Sequence, residues 1–275
     1  MNLSKENLIA SSELVEIYRD GDKCIKLFKE GVRKTNPLYE ALTHARVEDT
    51  GLPVPVIHAL DVIDGRWAII MDMIEGETLE DLMKKNPEKT EEYLEQMVDI
   101  QLEIHSKIVT KLSKLKDKMS RQINSLEIDD TKKYELLTRL ESMPKHVKLC
   151  HGNFVPENII YKDGKMYILD WIQARQGNAS ADVGKTYLLL SLRDPALADR
   201  YLAIFCSKTG TDKRYVQRWL PIVAAAYLPD AKPEEKDFLE KWVDVVEYQL
   251  AKNGWGTLFI TIISSSSFLS IPQKG

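Results

Sequence analysis

Four polar side chains with chemistry to offer crowd one region of the chain. His151, Asn153 and Asn158 lie in "HGNFVPENII", and Asp170 follows in "ILDW". A loop that ends in Asn, a tight hairpin and a returning Asp bring both oxygen-bearing groups to one end of that hairpin. An amide and a carboxylate so placed suit Mg2+, which takes oxygen ligands, usually one or two from protein and the rest from phosphates and water. Taken singly, Asn158 reads as a turn residue and Asp170 as a solvated strand end, since both types are common in turns. Asn153 adds an amide that can orient a hydroxyl but has no site to take its proton.

The elements that must position these groups announce themselves by turn chemistry. Asp163-Gly164 joins the two strands of "NIIYKDGKMYILD", and Asp-Gly is a strong signal for a two-residue hairpin turn. The same pair appears as Asp20-Gly21 between "ELVEIYR" and "KCIKLFK", and as Asp64-Gly65 between "VIHALDVI" and "RWAIIMDM". In the strand "KCIKLFK", Cys24, Lys26 and Phe28 share one face while Lys29 points the other way. Between the two N-terminal hairpins a helix is expected, with Asn36 as N-cap, Pro37 at its first position, and Gly51 and Pro53 as its stop. Glu40 falls early in that helix.

After "MIEGE" the pattern becomes helical. Thr78 to Asp81 resembles a capping box, and Leu94, Met97, Val98, Leu102, His105 and Ile108 recur at helical spacing over 88–108. Charged helical segments run to about 143, "VKLC" reads as a strand before the polar loop, and helices return from about 180. The expected organisation is a β-rich lobe over 1–73 and a larger helical lobe over 74–275, joined near 72–76.

Composition narrows the function classes. At 275 residues the chain can bury a full-sized core. With 38 basic against 42 acidic residues, the net charge of −4 makes no electrostatic case for nucleic acid or an anionic membrane. Cys24, Cys150 and Cys206 form no CxxC and no even framework, which fits a reducing cytoplasm. "MNLSKENLIASS" lacks the apolar core of a signal peptide. "TLFITIISSSSFLSI" is too short and too rich in serine for a membrane span of about 20 residues, and reads as packing. A cytoplasmic protein with no nucleic-acid or membrane partner is expected.

Together, "HGNFVPEN" and "ILDW" resemble the aminoglycoside phosphotransferase and choline kinase families, distant relatives of the protein kinases. Their loop reads H-G-D-x-x-x-x-N, followed by a hairpin and I-D-W or L-D-W. Every anchor is matched except the aspartate, where this chain has Asn153. Gly152 in place of the protein-kinase arginine, the lack of A-P-E and the eleven residues between Asp170 and Asp182 point away from protein kinases themselves. The resemblance spans the chain and implies an α+β, two-lobed, protein-kinase-like fold: a small antiparallel N-lobe with one helix and a mainly helical C-lobe. It also implies ATP or GTP as co-substrate, Mg2+ held by Asn158 and Asp170, and transfer of the γ-phosphoryl group to a hydroxylated small molecule. Lys26 would hold the α- and β-phosphates with Glu40 as its partner. Met71 would line the base pocket, and the backbone of Asp72 and Ile74 would hydrogen-bond the base. Asp182 is expected as a structural helix cap and His105 as a core histidine.

Two departures matter. The glycine-bearing phosphate loop is replaced by "IASSELVEIY", where Ser11 and Ser12 can donate hydroxyls but Glu13 would repel phosphate. Asn153 removes the general base, a loss of roughly 10²–10⁴-fold, although phosphoryl transfer rests mainly on positioning and electrostatics. The readings are therefore a small-molecule kinase, a kinase-like module that binds nucleotide or metabolite without turnover, or a helical interaction protein with no nucleotide site. On the acceptor side, the acidic run in "LPDAKPEEKDFLEKWVD" reads as a face for a cationic substrate or as a solvated helix face. Trp219, Trp242 and Trp255 are candidates for an aromatic wall around a quaternary amine.

Overall fold

The structure is a computed structural model that describes residues 3–244. The N-terminal part is built from two hairpins and a helix: β1 (Leu8–Ser11), β2 (Val15–Asp20), β3 (Lys23–Phe28), α1 (Thr35–Glu48), β4 (Ile57–Ile63) and β5 (Arg66–Asp72). The strands form one antiparallel sheet in the order β1-β2-β3-β5-β4. Asp64 and Gly65 both take positive φ, 49° and 77°, as the turn that matches strand twist requires. Ile25 and Leu27 are fully buried on one face of β3, packed with Tyr18 and Ala68. Alternation along the strand then sends Cys24 and Lys26 to the opposite face, the one that meets the rest of the molecule.

Beyond β5 the chain crosses to a helical part through β6 (Glu77–Thr78), α2 (Leu79–Lys85), α3 (Thr90–Ser106), α4 (Leu115–Asn124) and α5 (Asp130–Ser142). Three short strands then frame the polar loop: β7 (Lys148–Cys150), β8 (Ile159–Lys162) and β9 (Lys165–Ile168). After β10 (Arg175–Gly177) follow α6 (Ala179–Ser191), α7 (Pro195–Thr209), α8 (Lys213–Tyr227) and α9 (Pro233–Val243). β8 and β9 pair through the Asp163-Gly164 turn, with β6 added at the β8 edge. β10 pairs with β7, so the start of the loop and the segment after Asp170 are hydrogen-bonded to each other. Leu94, Met97, Val98 and Ile104 of α3 are fully buried in the large core. This is the two-lobed α+β arrangement expected.

Some local expectations are corrected. α1 begins at Thr35 with Lys34 as its N-cap, not at Asn36, because the Asn36 N–H already donates to the Arg33 carbonyl within the first turn. α3 ends at Ser106, which leaves Ile108 outside the helix and 62% exposed. Thr78 does cap α2, its hydroxyl accepting from the Asp81 N–H at 3.1 Å. "TLFITIISSSSFLSI" lies outside the described residues.

Candidate active site

A cleft of about 300 Å³ lies between the N-terminal sheet and the β8–β9 hairpin. Seven of the residues singled out from sequence line it: Lys26, Glu40, Met71, Asp72, Ile74, Asn158 and Asp170. Ile9, Val15 and Ile17 add an apolar wall from β1 and β2. Lys26 pairs with Glu40, which is only 6% exposed. The pairing joins β3 to α1 and holds an ammonium at a fixed point in the cleft. At the end of β5, the N–H groups of Asp72 and Met73 donate to the carbonyls of Val56 and Asp22 at 3.0 and 2.9 Å. Ile74 follows them in the cleft lining. The Asp72 carboxylate turns to His58, 2.6 Å away. Partial burial alone would raise its pKa, but that hydrogen bond, the Val56 N–H and the nearby charges of His58 and Lys23 leave it lowered.

The loop itself is held from behind. The Asp182 carboxylate accepts the backbone N–H of His151 at 3.1 Å and of Gly152 at 2.7 Å. His105 reaches the same carboxylate at 3.0 Å from α3. Burial would raise the Asp182 pKa, yet the hydrogen bonds from His105 and the Gly152 N–H help to lower it. Asp182 is thus structural, as expected, but it braces the loop; Asn178 caps α6 instead, accepting from the Ser180 N–H. His105 is the core histidine foreseen, 3% exposed.

His151 is fully buried, and burial lowers its pKa. Its Nδ1 accepts from the Asn153 N–H at 3.1 Å, so Nε2 carries the proton that is donated to the Leu169 carbonyl at 2.9 Å. A neutral imidazole therefore ties the loop to the residue just before Asp170. Gly152 has φ of +81°, and a Cβ there would come within 2.7 Å of the Gln173 carbonyl oxygen. Only glycine fits this turn without movement of the backbone.

Asn153, Asn158 and Asp170 meet directly. Asn153 Nδ2 donates to Asp170 Oδ2 at 2.8 Å, and Asn158 Nδ2 donates to the Asn153 carbonyl at 2.9 Å. Asp170 sits in the left-handed region with φ 61° and ψ 63°, a conformation Asp tolerates better than most residues but at some cost. Trp171 beside it is 1% exposed and its Nε1 donates to the Ile168 carbonyl at 3.0 Å. That buried indole anchors the turn in which the carboxylate stands. The oxygens of Asn158 and Asp170 fit a hard cation. Among the described residues no cluster of three His, Cys, Asp or Glu groups has the geometry of a metal site. A cation here would draw its remaining ligands from phosphate and water.

Other expectations fall elsewhere. Ser12 shares its hydroxyl with the backbone of Val15 in the β1–β2 turn. Trp219 and Trp242 are 0% and 3% exposed within the core, so they build no aromatic wall; Trp255 lies outside the described residues. Sequence reading missed the role of Asp182 toward the loop. It also missed a group of cations, Lys118, Arg175 and Lys185, whose charges act on one another, because Lys118 is far in sequence from the other two and meets them only through the fold.

A family model described as the phosphotransferase enzyme family matches residues 17–219. The chain belongs to that family. Among solved structures, a thermostable mutant of aminoglycoside phosphotransferase APH(4)-Ia, in ternary complex with AMP-PNP and hygromycin B, shares 15% identity at a TM-score of 0.66; the match covers 86% of this chain and 90% of that one. A choline/ethanolamine kinase family protein from Mesorhizobium loti shares 13% identity at a TM-score of 0.56, over 86% and 88% of the two chains. Amicoumacin kinase hAmiN, in complex with AMP-PNP, Ca2+ and Ami, shares 11% identity at a TM-score of 0.59, over 90% and 89%. These likenesses establish the fold. Comparison with curated proteins finds no match. No helix among the described residues is long and apolar enough to cross a membrane.

Proposed function

We propose that this phosphotransferase-family chain is an ATP- or GTP-dependent small-molecule kinase that transfers a γ-phosphoryl group to a substrate hydroxyl. The observation that carries the reading is the convergence of the Lys26–Glu40 pair, Asn158 and Asp170 on one cleft. In this reading the base lies against Met71 and the backbone of Asp72 and Ile74, with Ile9, Val15 and Ile17 covering its other side. Lys26, fixed by Glu40, holds the α- and β-phosphates. Asn158 and Asp170 hold Mg2+, which would neutralise charge on the phosphates when bound. The division of labour falls near 73–74, with the nucleotide held chiefly by the first lobe and the loop and acceptor by the second. Complexes of relatives with AMP-PNP support the nucleotide assignment.

Asn153 orients the attacking hydroxyl. As the new O–P bond forms, the bond from the γ-phosphorus to the β–γ bridging oxygen breaks and the nucleoside diphosphate leaves with that electron pair. The hydroxyl proton passes to the transferred phosphoryl group or to water, because an amide has no basic site for it. A second reading, a module that binds nucleotide without turnover, is favoured by the same Asn153. Acceptor-dependent ADP release across a panel of hydroxylated metabolites tests between them. Release above the ATP-only background supports the kinase; MgATP binding with no release for any acceptor supports the binding module.

A further inference from the structure

Outside the lining of the nucleotide cleft, three cations from separate elements, Lys118, Arg175 and Lys185, lie close enough for their charges to act on one another. Lys118 of α4 donates to the Gln173 side chain, and it is the Gln173 backbone that lies against Gly152. Lys185 of α6 stands three residues after Asp182, one turn along the helix that braces the loop. Its ammonium lies 4.8 Å from the centre of the Tyr227 ring, and it is close enough to Asp170, Asp182 and Asp230 for their charges to act on it. Arg175 of β10 lies 5.4 Å over the Tyr39 ring of α1. Its Nη1 donates to the Ala174 carbonyl at 2.6 Å, while its Nε is buried without a partner among the described residues.

Of the three carboxylates that act on Lys185, Asp182 is already held by His105 and the N–H groups of His151 and Gly152, and Asp170 by Asn153. Among the described residues one carboxylate, Asp230, stands in ion-pair range of the three cations, 3.9 Å from Lys118, and it also accepts from Gln122 at 2.8 Å. Glu235 accepts from the Tyr227 hydroxyl at 2.9 Å and the Lys232 N–H at 3.0 Å, closing the start of α9. Glu234, Asp237 and Glu240 are exposed. Apart from Asp230, these carboxylates of the acidic run face solvent or are already engaged. The neighbouring cations leave a mark on Lys118, whose side chain is 17% exposed. Burial first, then the charges of Lys185 and Arg175, push its pKa down to about 8. Like charges held together in a half-buried place are costly, and a bound anion removes that cost.

Resting on the kinase reading of the same site, we infer that the acceptor is an anionic hydroxylated small molecule. Its carboxylate or phosphate group sits among Lys118, Arg175 and Lys185, and its hydroxyl is presented at Asn153. A cationic amino sugar or a quaternary amine would meet repulsion there.

The test is calorimetric titration of the full chain, loaded with MgADP, with four probes on one carbon skeleton: D-gluconate, D-glucose 6-phosphate, D-glucose and D-glucosamine. At least one of the two anions is expected to bind about tenfold or more tighter than glucose or glucosamine, the scale of one charge-assisted hydrogen bond; which anion wins distinguishes a carboxylate seat from a phosphate seat. In Lys118→Met and Lys185→Met the preference should shrink by about tenfold, with MgADP affinity unchanged as the check on folding. Should Lys185→Met fail to fold, the more accessible Lys118→Met carries the comparison. No binding of either anion, a preference for glucosamine, or a preference that survives in the variants overturns the proposal. If MgADP does not bind but the anion preference and its loss in the variants are seen without nucleotide, the kinase reading falls and the anion seat stands.

Discussion

Replacing Asn153 by Asp turns a hydrogen bond into a charge conflict. Asn153 Nδ2 now donates to Asp170 Oδ2 at 2.8 Å; in Asn153→Asp two carboxylates face each other at that contact. Like unit charges about 4 Å apart repel by roughly 4 kcal/mol at an effective dielectric of 20. Sharing a proton or turning one side chain toward solvent relieves part of this. A net destabilisation of about 2–3 kcal/mol is expected in metal-free buffer at neutral pH, or roughly 5–10 °C in Tm for a chain of this size. Mg2+ with nucleotide should return most of it, because the cation would offset the Asp170 charge that repels the new carboxylate. The same substitution supplies the missing base, so turnover with a competent acceptor should rise by about 10²-fold or more. Thermal unfolding in EDTA and in MgADP, with steady-state ADP release, measures both effects. A variant with unchanged Tm in EDTA and unchanged turnover would show that residue 153 neither faces Asp170 nor meets the acceptor.

Two further outcomes follow from the same geometry. Lys26→Ala should weaken ATP binding by at least about tenfold, on the scale of one charge-assisted hydrogen bond, while Lys29→Ala, which removes the same charge outside the cleft lining, should change it little; equal losses in calorimetry would contradict the strand register. Gly152→Ala should cost about 1–3 kcal/mol of stability from left-handed strain and displace the loop from Gln173; unchanged turnover and unchanged Tm would contradict the close approach.

Much of this was legible in the sequence because it is written locally. The Asp-Gly turns fixed three hairpins, and alternation along β3 put Lys26 on the face opposite Ile25 and Leu27. The loop anchors carried Asn158 and Asp170 to one end of a hairpin, as spacing alone required. What escaped was written between distant segments. Asp182 reads only as a helix cap until β7 and α6 come together and its carboxylate meets the backbone of His151 and Gly152. Trp219 and Trp242 look like candidates for a binding wall until packing buries them. The start of α1 was misplaced by two residues because Lys34 caps it with no side-chain hydrogen bond, which leaves no residue-type signal to read.

The most direct measurement is a calorimetric titration of ATP into the wild-type chain and Asp170→Asn, each with Mg2+ and with EDTA. If Asp170 and Asn158 hold the metal against phosphates anchored by Lys26, the wild type binds ATP much more tightly with Mg2+ than without, and Asp170→Asn loses that Mg2+-dependent gain while keeping its fold. Equal MgATP affinity in the two proteins, or ATP binding that ignores Mg2+, would contradict the assignment of this cleft as a phosphotransferase site.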